Sequence, residues 1–321
     1  MMKSKILGYL LEHRDSYTTG QELSAICEVS RQSIHKHINS LKEEGYDISS
    51  VHRKGYKLTV GSTISQAALE VLIEEHDFIK KALFFESIPS TNSYLKANSD
   101  QMDTAIVVAN EQTAGRGRLG RTWVSTPGVG LWQSILLRPS IRPAGASMLT
   151  QVAAVAMLEA IEEVLALKVK IKWPNDLLIG EKKVCGILTE MSAELSAVQY
   201  VVIGIGLNVN QETFADEISA IATSLRIETG IEVSRFDLLR AFLNRFEAHY
   251  AQFLKDLSLK SVVKLINERS VLVSREINVI LGEFTRTALA KEINEFGELI
   301  ITENDGTETT LYYGEVSVRI K

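Results

Sequence analysis

The sequence predicts an α+β protein of three units: an N-terminal winged helix-turn-helix, a central α/β domain with a mixed sheet, and a small C-terminal β-barrel. Three observations predict it. The chain has 321 residues, more than one hydrophobic core usually serves, so two or three domains are expected. Residues 1–60 carry nine Lys/Arg against seven Asp/Glu and four of the six histidines, whereas the remainder carries 26 against 33. The hydrophobic period also changes along the chain, from helical, to alternating helix and strand, to short strands alone. The boundaries this suggests are 1–62, 63–270 and 271–321.

The composition, 45% hydrophobic and 23% charged, is that of an ordinary globular protein, neither disordered nor fibrous. The first 14 residues have a short apolar stripe but no signal-peptide core or small-residue cleavage site, and no later run approaches a membrane-spanning length, so a cytoplasmic protein without a membrane partner is expected. Cys27 and Cys185 stand far apart with no neighbouring cysteine. They read as buried thiols rather than a disulfide or a zinc site.

In the N-terminal unit, Ile6, Leu7, Leu10 and Leu11 recur at helical spacing. Thr19 and Glu22 form a capping box for a second helix carrying Leu23 and Ile26. Ser30 is a good N-cap for a third, on which Ile34, Ile38 and Leu41 fall on one buried stripe. Its other face presents Arg31, Gln32, Ser33, His35, Lys36 and Asn39, the layout of a recognition helix offering polar donors to a major groove. Short alternating strands follow at 46–52 and 56–60, joined by Arg53-Lys54-Gly55 as a basic wing. Ser30, Arg31, Gln32, Ser33, His35, Lys36, Arg53 and Lys54 are therefore candidate DNA contacts. A winged helix of this size can also serve protein contacts. His35 and His37, two apart on a helix, face different ways and make a poor metal pair.

A polar stretch, 61–66, separates this unit from a helical pattern over 67–80 and a short strand at 83–85. Ser90-Thr91-Asn92-Ser93 heads a predicted helix reaching Ala97, where hydroxyls and an amide either cap the helix or bind a small polar ligand. After the strand-like 105–109 and Gln112 comes Gly115-Arg-Gly-Arg-Leu-Gly-Arg121, three glycines interleaved with three arginines. The glycines allow positive φ and close approach, and the guanidinium forks suit carboxylate or phosphate oxygens. Such a loop should be mobile and able to close over an anion. Its glycine spacing matches the dinucleotide fingerprint, but a strand-like run with Pro127 follows instead of a helix, and no Asp or Glu occurs between Arg121 and Glu159. A Rossmann site is therefore excluded.

Further on, Lys170-Ile-Lys172-Trp-Pro-Asn175-Asp176 joins a basic strand end to turn chemistry. Lys182-Lys183-Val-Cys-Gly186-Ile-Leu188 follows the next strand and concentrates cations, an aromatic and a carboxylate at one sheet edge. The strand 200–210 carries Gly204 and Gly206, which either bend it or make room for a ligand lying on it. Helical patterns over 234–259 and 261–268 precede short strands at 277–281, 287–294, 299–302 and 308–312. Turns at 295–297 and 304–306 separate the last three, which suggests the barrel.

Together, Gly115–Arg121, Lys172-Trp-Pro-Asn-Asp176, Lys183 with Gly186-Ile-Leu188, Gly204-Ile-Gly-Leu-Asn208, Ala222-Thr-Ser-Leu225 and Gly314-Glu-Val-Ser-Val-Arg319 resemble the biotin protein ligase family in its bifunctional form, which is also the biotin operon repressor. One departure is Leu119, where the family can have arginine. The resemblance implies an SH3-like C-terminal domain and a ligase that uses biotin and MgATP to form biotinyl-5′-AMP, then transfers biotin to a lysine of a biotin carboxyl carrier protein. It implies Lys183, Arg118 and Asp176 as catalytic residues. It assigns biotin to Ser90, Thr91, Asn92, Gln112, Arg116, Gly117, Arg118, Lys183, Gly204 and Gly206, and the nucleotide to Arg121, Trp123, Lys172, Asn175 and Asn208. No fixed metal is implied, since Mg2+ travels with ATP. A homodimer on operator DNA is expected when adenylate orders the arginine loop and a second loop at 211–223. A biotin-sensing repressor without catalysis, or a lipoate ligase, is the alternative. The arginine loop with Lys183 argues against the first and Trp-Pro before Asn175 against the second.

Overall fold

The computed structural model describes residues 2–14, 16–59, 63–194, 197–281, 284–312 and 317–320. Three helices open the chain, α1 (Met2–Glu12), α2 (Gly20–Cys27) and α3 (Arg31–Glu43), followed by the hairpin β1 (Ile48–Val51) and β2 (Gly55–Leu58). The caps sit where the side chains predict: the Thr19 side chain accepts from the Glu22 N–H, and Ser30 from the Ser33 N–H. Ile6, Leu7, Leu10, Leu23, Ile34, Ile38 and Leu41 are fully buried against one another. The wing is tied to the α1–α2 connection by a reciprocal pair, Thr18 N–H to Tyr56 O and Tyr56 N–H to Thr18 O, both 2.8 Å.

The helix α4 (Gln66–Glu74) packs on both α1 and β3 (Lys81–Phe85). It stops well short of residue 80. Glu247 accepts the Asp77 N–H and lies 2.8 Å from the His76 ring, and this distant carboxylate draws the chain out of the helix. A mixed sheet follows in the order β3-β4-β5-β9-β8-β7-β6, made with β4 (Ala105–Ala109), β5 (Gly130–Leu137), β6 (Lys170–Lys172), β7 (Asp176–Ile179), β8 (Lys182–Glu194) and β9 (Ala197–Asn208). β3 and β4 run parallel and every other pair antiparallel. One face packs on α6 (Pro143–Leu165) and α9 (Arg235–Asp256), while α5 (Thr91–Ala97) covers part of the other. Val107, Leu136 and Val202 accordingly cluster with Leu95 of α5, and their neighbours Ile106, Ile135 and Ile203 cluster with the large helices.

The sequence reading missed α6 and found no run of membrane-spanning length, and the structure corrects this. α6 is long and apolar enough by composition, with a mean hydropathy of 1.5 over its most apolar window, but residues 148–158 are all buried in the core. A helix apolar on every side gives no period to read and belongs in the interior. Beyond α7 (Asp216–Ser219), α8 (Leu225–Thr229) and α10 (Val263–Arg269), the C-terminal unit is an antiparallel five-stranded sheet. Its order is β13-β12-β11-β10-β14, from β10 (Glu276–Leu281), β11 (Phe284–Ile293), β12 (Leu299–Thr302), β13 (Glu308–Leu311) and β14 (Ser317–Ile320). The first half of the 314–319 motif lies outside the described residues, as do positions 61 and 62 of the polar boundary.

Among the contacts that join these units, two are made by Trp173 and Arg14. The Trp173 indole N–H donates to Gly297 O at 2.9 Å, joining the β6–β7 turn to the C-terminal sheet. Arg14 donates to both carboxylate oxygens of Asp237 at 2.9 Å, joining the N-terminal unit to the start of α9. At the wing, Gly55 has φ +106, and a Cβ there would lie 2.1 Å from Thr18 O. Gly55→Ala should therefore lower unfolding free energy by more than about 1 kcal/mol, measured by urea denaturation. An unchanged midpoint would mean that the wing is not held as described.

Candidate active site

The pocket is built on positions where two strands carry no side chain. Gly186 of β8 pairs with Gly206 of β9, Leu188 with Gly204, and on the other flank of β9 Gly206 pairs with Trp132 and Gly204 with Ser134. Residues paired across a sheet share a face, so the three glycines bare one patch of backbone. A Cβ at Gly206 would meet Trp123 Nε1 at 2.4 Å, one at Gly186 the same ring at 2.8 Å, and one at Gly204 Asn92 Oδ1 at 2.2 Å. The glycines thus seat the Trp123 indole and the Asn92 amide. The same glycines also line the cavity beside those two groups.

At one end stand hydroxyls and amides. Ser90 caps α5, accepting from the Ser93 N–H, so capping and a place in the pocket wall coexist. Gln112 Oε1 accepts from the Thr91 N–H at 2.9 Å, and Gln112 Nε2 donates to Ser125 Oγ at 2.9 Å. Asn92 Nδ2 donates to Glu190 at 2.9 Å, and Lys96 Nζ lies 2.6 Å from the same carboxylate. Burial works against the charge on Glu190, but Lys96 and Asn92, with Arg116 at 4.0 Å, outweigh it and hold the carboxyl below its usual range.

The arginine loop folds over the cavity from Arg116 at this end to Arg118 at the other. It is not free: the Trp123 N–H donates to Gly115 O at 2.9 Å, the Gly117 N–H to Arg121 O at 2.7 Å, and a single 3₁₀ turn spans Arg118–Gly120. The glycines act differently from one another. Only Gly120 has positive φ, at +73, joined by Leu119 at +55, whereas Gly115 is required because a Cβ would strike Trp123 O at 2.3 Å. Arg118 reaches across to Asn175 Oδ1 at 3.1 Å.

At the other end Lys183 Nζ lies 2.6 Å from Asp176 Oδ1 and 5.0 Å from the Trp123 ring centroid. Its backbone binds the second loop, donating to Ile221 O at 2.8 Å and accepting from the Thr223 N–H at 2.9 Å. Burial pushes the neighbouring Cys185 thiol up, which removes it as a nucleophile.

These groups line a cavity of about 50 Å³ that opens to solvent. All ten residues assigned to biotin line it, as do Trp123 and Asn175. Asp176 joins through Lys183. Arg121, Lys172 and Asn208 are not in the lining. Asn208 is buried and braces the second loop, donating to Thr223 O and accepting from Gln211. Sequence reasoning passed over Ser134, Glu190 and Gln133, whose local sequence is that of any buried strand.

The candidate DNA contacts gather on α3 and the wing. Arg31, Gln32, His35, Lys36, Arg53 and Lys54 are exposed. Arg31 donates to Gln21 of α2 at 2.7 Å, Lys54 lies 6.0 Å from the Tyr17 ring, and Ser30 is committed to its cap.

A helix-turn-helix joined to a sheet-borne pocket under a cationic flap defines a ligand-binding protein with a DNA-binding module. A helix-turn-helix domain model matches residues 3–57, and the model of the biotin/lipoate A/B protein ligase family matches 84–208. The bifunctional ligase/repressor BirA of Bacillus subtilis is 36% identical over 91% of this chain and 91% of its own, and that of Escherichia coli 29% over 94% and 93%. The biotin protein ligase of Aquifex aeolicus, solved with biotin and ATP, matches with a TM-score of 0.67 at 32% identity, over 76% of this chain and all of that one. The chain belongs to the biotin protein ligase family, in its bifunctional ligase/repressor branch.

The seating of Trp123 is testable. Gly206→Ala should drive the indole off the sheet at a cost of about 1–3 kcal/mol and shift tryptophan emission to longer wavelength. Emission identical to the parent would refute the seating.

Proposed function

We propose that the protein activates biotin with ATP to biotinyl-5′-AMP, transfers biotin to a lysine of a biotin carboxyl carrier protein, and with adenylate bound acts as a dimeric repressor at biotin operator DNA. The observation that carries this reading is the division of the cavity. Uncharged donors and acceptors from Thr91, Asn92 and Gln112 stand at one end, and the cations Arg118 and Lys183 border the other. Biotin has a neutral ureido ring and an anionic tail, which suits that polarity.

In the first step a biotin carboxylate oxygen attacks the α-phosphorus and the bond to pyrophosphate breaks. Two anions must meet, and fixed positive charge offsets their repulsion. Lys183, turning from Asp176 toward the ligand, bridges carboxylate and phosphate, while Arg116, Gly117 and Arg118 close over them. In the second step the carrier amine attacks the acyl carbon, AMP leaves with the bonding pair, and the amine proton is assigned to Asp176, which Lys183 releases as it turns to the ligand. Ser90, Gly204 and Gly206 complete the biotin wall. Arg121, Trp123, Lys172, Asn175 and Asn208 are assigned to the nucleotide, with Mg2+ arriving as MgATP. Exposed Leu119, Val124 and Ile221 support a surface on which a second copy or the carrier docks. The reading gives DNA binding to 1–62, chemistry to 63–270 and a supporting role to 271–321, all in the cytoplasm.

Incubation with biotin, MgATP and a carrier domain tests the activity, with pyrophosphate and biotinylated carrier as the expected products. Their absence would leave only a ligand-sensing repressor. Lys183→Ala should slow adenylate formation by about 10²–10³-fold, measured in a single turnover, and a rate near the parent's would remove Lys183 from its role. Lys54→Ala should weaken operator binding and lower the slope of log affinity against log salt by about one. An unaltered slope would take the wing off the phosphates.

A further inference from the structure

We propose that Glu190, which does not itself line the cavity, is a positioning residue that sets the donor–acceptor polarity of the ligand's headgroup end through Asn92, Ser134 and Thr91. The inference rests on the biotin reading above and deepens it. It starts from the Asn92 amide, whose Nδ2 lies 2.9 Å from Glu190 Oε2 and 3.3 Å from Leu188 O. A carboxylate and a carbonyl only accept, so they fix the amide with nitrogen toward β8 and Oδ1 toward Ser134. Ser134 Oγ, 2.5 Å from that Oδ1, must then donate to it and has no second proton. The next contact, Thr91 Oγ1 to Ser134 Oγ at 2.6 Å, is therefore donated by Thr91. The longer contact from Thr91 Oγ1 to Gln112 Oε1, 3.0 Å, is with an oxygen that already takes the Thr91 N–H.

The chain ends with the Thr91 hydroxyl presenting lone pairs alone to the cavity, beside the remaining acceptor capacity of Gln112 Oε1. Such an end selects a headgroup rich in N–H donors, which a cyclic urea is and a dithiolane is not. Lys96, 2.6 Å from Glu190 Oε1, keeps the carboxylate ionised and so keeps the direction fixed. Replacing the carboxylate by an amide lets Asn92 turn over. Ser134 and Thr91 can then reverse, and the pocket meets the ligand's N–H with an O–H.

The test is steady-state pyrophosphate release by the full-length enzyme with biotin and with lipoate. In Glu190→Gln, KM for biotin should rise about tenfold to a hundredfold with kcat within about threefold. The preference for biotin over lipoate should fall by the same factor as KM rises, and Glu190→Asp should restore most of both. An unchanged KM, or a loss confined to kcat, or a preference that stays fixed while KM rises, would overturn the proposal. If Glu190→Gln melts too low to assay, Ser134→Ala interrupts the same chain without altering charge and must raise KM likewise, and an unchanged KM there would equally overturn it. Parent enzyme that releases no pyrophosphate with biotin would overturn the underlying biotin reading instead.

Discussion

A strand presents a side chain to each face at every second residue, and this protein depends on three such places being empty. With Gly186, Gly204 and Gly206 bare on adjacent strands, the sheet has a shallow trough that the Trp123 indole and the Asn92 amide fill from above. The trough holds its shape because the reverse face is covered by α6 and α9, whose large apolar side chains pack on Ile187, Ile203 and Ile205. Dense packing behind and backbone alone in front make a rigid floor with a removable cover. The flap can then move without disturbing the strands that aim Lys183 and Asp176.

Lys183 joins the parts of the site to one another. Its ammonium faces Asp176 and the Trp123 ring, while its backbone is laddered to residues 221–223 of the second loop. A ligand that draws the ammonium away from Asp176 therefore acts where that loop is attached. The start of α9 provides a second junction. Arg235 is buried and donates to Gly130 O and Asn110 Oδ1 at the two roots of the flap, and two residues later Asp237 holds Arg14 of the DNA-binding unit. Burial lowers the Arg235 pKa to about 10, so it stays charged near neutrality. Flap roots and recognition module thus hang from one helical turn, a physical basis for ligand state to bias the DNA-binding surface.

What the sequence disclosed follows from the range of each interaction. Caps at Thr19, Ser30, Ser65, Ser90 and Ser234 act within three residues, and all but Ser65 and Ser234 were singled out from local pattern. The flap's charge, the Lys172–Asp176 turn and the buried stripe of α3 were equally legible. The use made of each glycine was not, because it depends on register between strands far apart in sequence. Nor was Glu190, whose partner Asn92 is 98 positions away, nor the early end of α4, which Glu247 enforces from across the domain. Nor was the bond by which the Asn208 amide braces the second loop, to Thr223 O fifteen positions on. α6 was invisible because its long buried stretch, residues 148–158, is apolar nearly all round and has no polar face to mark its period.

Leu119 links the departure from the family pattern to the proposed assembly. It sits at the flap tip with φ +55 and is 71% exposed. A leucine in the left-handed region costs on the order of 1 kcal/mol, and leaving its side chain in water forgoes the gain of burial. Neither penalty serves the isolated chain. Arginine would add charge toward the adenylate, whereas leucine adds apolar surface beside exposed Val124 and Ile221. In the reading proposed above, that surface is covered when a second copy or the carrier docks. On that reading, leucine at the tip contributes to holding the partner and arginine would contribute to holding the intermediate.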